Sequence, residues 1–151
     1  MKGVVAIVDP ISTGANLARY LADRGYSLVR VWSDACPLEV RGLVKPGLEV
    51  EWLDTVEFAG DIQQTQAALR ELGVHEHILV GSEPGVNLHA DLSAAFGLVH
   101  GSCDSDKLEA RRNKHIQSEC IRAAGLNAVQ QSLATTLADV EDRCGARTRT
   151  S

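Results

Sequence analysis

Aromatic residues are scarce: two Trp, two Tyr and two Phe in 151 residues. With so few large rings, Val, Leu, Ile and Ala must fill the interior, as in a parallel sheet covered on both faces by helices. Long apolar runs are also missing. Gly3 to Val8 is far too short to span a bilayer, and the Asp9-Pro10 that follows it is unlike a signal peptide. The four cysteines, Cys36, Cys103, Cys120 and Cys144, form no CxxC pair and share no spacing with histidine, which argues against a zinc site or a disulfide framework. There is no surplus of basic charge. Lys and Arg number 15 against 20 Asp and Glu, a net charge of −5 with the cations scattered, so nucleic acid is excluded as a partner. These absences predict a soluble chain of the reducing cytoplasm with no membrane partner.

Familiar phosphate and nucleophile motifs are absent too. No Gly-Lys-Ser/Thr follows the first turn, which excludes a P-loop, and the GxGxxG spacing of a dinucleotide site is missing. Ser82 directly follows Gly81 instead of standing between the glycines of a GxSxG elbow.

What is present suits one α/β domain. An apolar content of 44% supports a core, and a chain this long can bury about two-thirds of its unfolded surface. Val4 to Val8 is a continuous apolar run, the pattern of a strand covered on both faces. Ser12 or Thr13 can cap a helix over about 14–24, with Leu17, Tyr20 and Leu21 inward and Gly25 ending it. Ser27 to Trp32 is the second strand, and the β-α-β spacing favours a right-handed crossover between parallel neighbours. Residues 33–47, with two prolines and two glycines, read as an irregular or partly helical connection. Glu49 to Leu53 alternates as an edge strand would. A helix over about 61–72 follows, with Ile62, Thr65, Leu69 and Leu72 inward and Gly73 at its end. His77 to Val80 is the fourth strand, and Leu98-Val99 a short fifth. Between them runs a helix carrying Leu88, Leu92, Ala95 and Phe96 on one face. A last helix presents Ile116, Cys120, Ile121 and Ala124 and closes at Gly125. The prediction is a Rossmann-like open parallel sheet of four to five strands with helices on both faces, over residues 1–141, and a disordered tail over 142–151.

In such a sheet ligands bind beyond the carboxyl ends of the strands, near the switch in strand order. Two turns qualify. Ser12, Thr13 and Gly14 offer hydroxyls and amides at a helix N-terminus, which suits a phosphate or carboxylate; they equally suit simple capping. Glu83, Pro84 and Gly85 follow the fourth strand; the glycine permits close approach of a ligand, and Glu83 could pair with a substrate amino group or only compensate a helix dipole. Lys114 belongs to a basic helix start, with Arg111 and Arg112, that opposes the dipole. His75 and His77 form an HxH, and His89, His100 and His115 are dispersed; all read as ordinary surface or strand-end residues, and no metal site is predicted. Cys103 lacks a partner base by spacing and reads as structural.

A family resemblance adds to this. The stretch GSEPGVNLHADLSAAFGL, followed by RRNKHIQSECIRAAGLN, resembles the end of the N-terminal domain of ATP-grasp ligases, which join a carboxylate to an amine through an acyl-phosphate. Lys114 stands eleven residues before the Gly125 of AAGL, as a lysine does in that family. The opening VDPISTGANLARYLADRGYSLVRVWS is similar to the start of the same domain in the branch of L-amino acid ligases and dipeptide synthetases. The resemblance covers about residues 3–140. It implies that Lys114 contacts ATP, that Ser12 to Gly14 and Glu83 to Gly85 border a cleft for an amino acid or other carboxylate substrate, and that the complete enzyme uses ATP and Mg2+. A second phosphate-binding lysine and the magnesium ligands of the family have no counterpart here. The chain is therefore expected to be inactive alone, whether as a truncated product, a split subunit or a frameshifted reading. It is expected to pair with a complementing ATP-grasp subunit or with a second copy that hides the apolar face left bare. The rival reading is a stand-alone Rossmann-like module that binds a small anion or a partner without catalysis.

Overall fold

The computed structural model of the chain describes residues 2–98, 109–110 and 113–141. It divides into two compact units, Met1–Cys103 and Asp104–Ser151. The first is an α/β unit with an open, all-parallel sheet. Its strands are β1 (Val4–Val8), β2 (Ser27–Trp32), β3 (Asp54–Glu57) and β4 (Ile78–Val80), in the order β3-β2-β1-β4. Val8 at the end of β1 lies opposite Val31 on one side and Val80 on the other.

Alternation of side chains across the strands builds two cores. Ala6, Val8, Val29, Val31 and Ile78 share one face with Leu69 of α2 (Ile62–Glu71) and with Leu88 and Leu92 of α3 (Val86–Ala95). Val5, Ile7 and Leu28 share the other with Ala18 of α1 (Thr13–Ala22), flanked by Trp52 and Leu79. Helices thus cover both faces, as the continuous apolar strands require. α1 seats its small residues, Gly14, Ala15 and Ala18, against the sheet. Tyr20, expected to face inward, is 53% exposed and lies under the Arg24 guanidinium. A helix packed this closely has no room for a ring on its contact side.

The expected strand over Glu49 to Leu53 is displaced to Asp54–Glu57. Val50 and Trp52 pack on the α1 face of the sheet instead, and Leu53 makes the first bond to β2, its amide donating to Leu28 O at 2.7 Å. The connection over 33–47 is irregular apart from a 3-10 turn at Leu38–Val40. The helix ends predicted at Gly25 and Gly73 hold, both glycines having φ near +80° to +85°.

The second unit contains α4 (Lys114–Ala123), followed by Gly125 at φ +74°. None of its helical residues is buried, so the expected apolar face of Ile116, Cys120 and Ile121 is not packed into a core, and Ala124 lies at the C-cap. The expected fifth strand at Leu98-Val99, the tail over 142–151, Cys103, Cys144, His100, Arg111 and Arg112 lie wholly or partly outside the described residues. Among the described residues no helix is long and apolar enough to cross a membrane.

Candidate functional site at the strand-order switch

The chain leads from β1 to β2 to β3 in one direction and returns through α2 to place β4 on the other side of β1. The switch in strand order therefore lies between β1 and β4. Both sequence-predicted turns are found there. The first leads from β1 to α1 on one face of the sheet, and the second leads from β4 to α3 on the other.

The first turn is tight. The Ile11 amide donates back to Asp9 O at 2.8 Å and the Gly14 amide to Ile11 O at 2.8 Å. Asp9 and Ser12 both take positive φ, 50° and 52°. Ser12 occupies the N-cap position of α1, yet its side chain accepts no helix amide. The other caps show what a filled one looks like. Asp61 accepts from Gln63 N and Gln64 N at the start of α2, and Asn113 from His115 N and Ile116 N at the start of α4. The simple capping role open to Ser12 is therefore not realised. Ser12 and Thr13 are exposed at the positive end of a ten-residue helix.

The second turn opens with Gly81, whose amide donates to Val8 O at 2.7 Å. Ser82 Oγ donates to Asp9 O at 2.8 Å. Glu83, Pro84 and Gly85 form a 3-10 turn that runs straight into α3, with Glu83 exposed at its first position and Gly85 buried. Beyond the Ser82 bond to Asp9, glycines let the two turns approach closely. A Cβ on Gly14 would sit 2.7 Å from Gly81 Cα, and one on Gly81 2.6 Å from Asp9 O. Gly85 is equally confined, its Cβ position lying 2.8 Å from Val8 Cγ1 and 3.0 Å from Asp9 Oδ2.

Asp9 lies under both turns and was not among the candidate site residues read from sequence. It is fully buried. Its Oδ1 accepts from the Ser33 amide at 2.8 Å and its Oδ2 from Ser33 Oγ at 2.6 Å. The turn after β2 is drawn in this way to the same end of the sheet. Arg41 holds that turn from outside: Nη2 donates to Ser33 O at 2.8 Å, Nε to Cys36 O at 3.2 Å, and Nη1 pairs with Glu57 at 2.7 Å. Its guanidinium stands 5.2 Å from the Trp32 ring centre. Cys36 is buried beside this cluster. Burial and then the Asp9 charge push its thiol above the usual range, against the opposing pull of Arg41. A lone Asp before Pro carries no sequence signal of this kind; a buried polar contact to a residue 24 positions away is visible only in the fold.

Lys114 is placed in the second unit, as the exposed first residue of α4, with Nζ donating to Gln117 Oε1 at 3.2 Å. An ammonium beside a helix N-terminus fits a phosphate chemically, since both attract an anion. His75 and His77 are exposed, and among the described residues no group of three or more His, Cys, Asp or Glu could hold a metal ion. Comparison with known proteins finds no matching family model, no matching curated protein and no matching solved structure.

Proposed function

We propose that this chain is the substrate-side domain of an ATP-dependent carboxylate–amine ligase of the ATP-grasp kind, the complete form of which activates an amino acid carboxylate as an acyl-phosphate for attack by an amine. The observation that carries the reading is the exposed α1 N-terminus at the strand-order switch, whose N-cap hydroxyl is unused. The Ser12 hydroxyl caps no helix amide despite its N-cap position, and Ser12 and Thr13 are exposed at the positive end of the helix. A substrate carboxylate is the natural complement to such an end. Glu83, exposed at the start of the neighbouring turn, supplies the opposite charge for an amino group. In the complete enzyme Lys114 would contact the nucleotide phosphates. ATP, when bound, would supply the phosphoryl group that activates the carboxylate, and magnesium would be held by residues other than those described here. The two turns of this chain would bind and orient the substrate.

Calorimetric titration of the purified chain with a panel of L-amino acids, and separately with Mg-ATP, tests this. Millimolar or tighter amino acid binding is expected, weakened about tenfold or more by Ser12→Gly, which keeps the amides and suits the positive φ but removes the hydroxyl. Mg-ATP binding should be lost in Lys114→Ala. A folded chain that binds no amino acid, carboxylate or nucleotide overturns the reading.

The rival reading, a stand-alone module for a small anion, draws on the same exposed helix end. Binding of inorganic phosphate with no preference for amino acids would favour it.

A further inference from the structure

We propose that Asp9 is a mechanical joint that makes the turns after β1, β2 and β4 move as one, so that a ligand engaging either turn of the cleft displaces the other. The cleft is that of the ligase reading, on which this inference rests for its use, while the joint itself is a property of the contacts around one residue.

Position 9 carries two costs. Its φ of 50° is a left-handed backbone that L residues rarely adopt, and its carboxylate is fully buried. Such costs at one residue persist where the surroundings over-determine it. Here they do, because the polar atoms of Asp9 are tied to three segments: the end of β2, its own turn and the turn after β4. Its amide donates to Val31 O at 2.8 Å. Its carbonyl accepts from the Ile11 amide at 2.8 Å and from Ser82 Oγ at 2.8 Å. Its two carboxylate oxygens take the Ser33 amide and hydroxyl. Gly81 and Gly85 leave no slack above it, since even a Cβ on either would lie within 3.0 Å of an Asp9 oxygen. A shift of Ser82 therefore has to move the Asp9 carbonyl, and with it the peptide that orients the α1 turn and the carboxylate that holds Ser33. Helices on opposite faces of the sheet are coupled through one buried residue.

The test uses backbone amide resonances and equilibrium unfolding of the full chain as wild type, Ser82→Ala, Ser33→Ala and the double variant. Ser82→Ala deletes one half-buried hydroxyl and should spare the fold. It is expected to shift the Ile11 and Ser33 amide resonances, both bonded to Asp9, while those of α2 stay in place. The change in unfolding constant in the double variant should depart roughly threefold or more from the product of the two single changes. Resonance changes confined to residues 80–86, with single effects that simply multiply, would overturn the joint. Absence of amino acid binding in the titration above would remove the ligase reading and leave these resonance shifts unaffected, so the two failures are distinguishable.

Discussion

At the scale of single residues, the carboxyl end of the sheet is defined by what has no side chain. Gly81 is irreplaceable because backbone would meet backbone: its Cβ position lies 2.6 Å from Asp9 O and 2.8 Å from Pro10 Cα. Neither atom can rotate away. Gly81→Ala is expected to cost about 1–3 kcal/mol by overpacking. Gly42→Ala, where nothing lies within 4 Å and φ is not left-handed, should change stability by less than about 0.5 kcal/mol. Chemical denaturation of both variants checks this, and equal effects would mean the turns do not pack as described. The glycines at 81 and 85 were legible in sequence as positions of close approach, but the object approached was not. It is another turn of the same chain in addition to any ligand.

At the scale of elements, helix starts separate into two kinds. Asp61 fills its cap, with Oδ1 2.8 Å from Gln63 N and 3.0 Å from Gln64 N, whereas Ser12 fills none. Asp61→Ala should lower stability by about 1 kcal/mol, and Ser12→Ala by clearly less, as measured by thermal melting. A Ser12→Ala loss as large as that of Asp61→Ala would show the hydroxyl to be a cap after all. Strand β3 explains why its position was misread by five residues. The alternation over Glu49 to Leu53 is real, but Val50 and Trp52 are spent on covering the sheet. The actual strand, Asp54-Thr55-Val56-Glu57, is an edge with little apolar content. Asp54 Oδ1 accepts the Thr55 amide at 2.7 Å, which withdraws one donor from that edge. Arg30 reaches across to Thr55 Oγ1 at 2.9 Å and so fastens the edge strand to β2.

At the scale of the whole molecule, half-buried His89 makes the folding of the chain depend on pH below neutrality. His89 of α3 donates from Nε2 to Ile78 O at 3.1 Å, and burial holds its pKa below the usual 6.5, a displacement only partly offset by that bond. The unfolded chain therefore takes up a proton at higher pH than the folded chain. The stability due to neutral His89 is fully present above pH 6.5, declines as the pH falls below it, and is gone once the pH passes below the lowered folded value. Urea denaturation from pH 7 downward should show wild type losing more stability than His89→Gln over this window. Parallel curves would mean that His89 does not carry the dependence.

The sequence by itself determined the class of the fold. Apolar runs of Val, Ile and Leu with helices between them can bury both faces only as a covered parallel sheet, and glycines after Ala22 and Glu71 end helices through local geometry that needs no tertiary partner. It also marked the two turns, because Gly, Ser and Pro shape backbone locally. Only the tertiary structure decided strand order, the position of the third strand along the chain, and the meeting of those turns over Asp9. Each depends on residues far apart in the chain that acquire a shared environment on folding. A buried Asp in Asp-Pro reads like any strand end until Ser33 is brought to its carboxylate and Ser82 to its carbonyl.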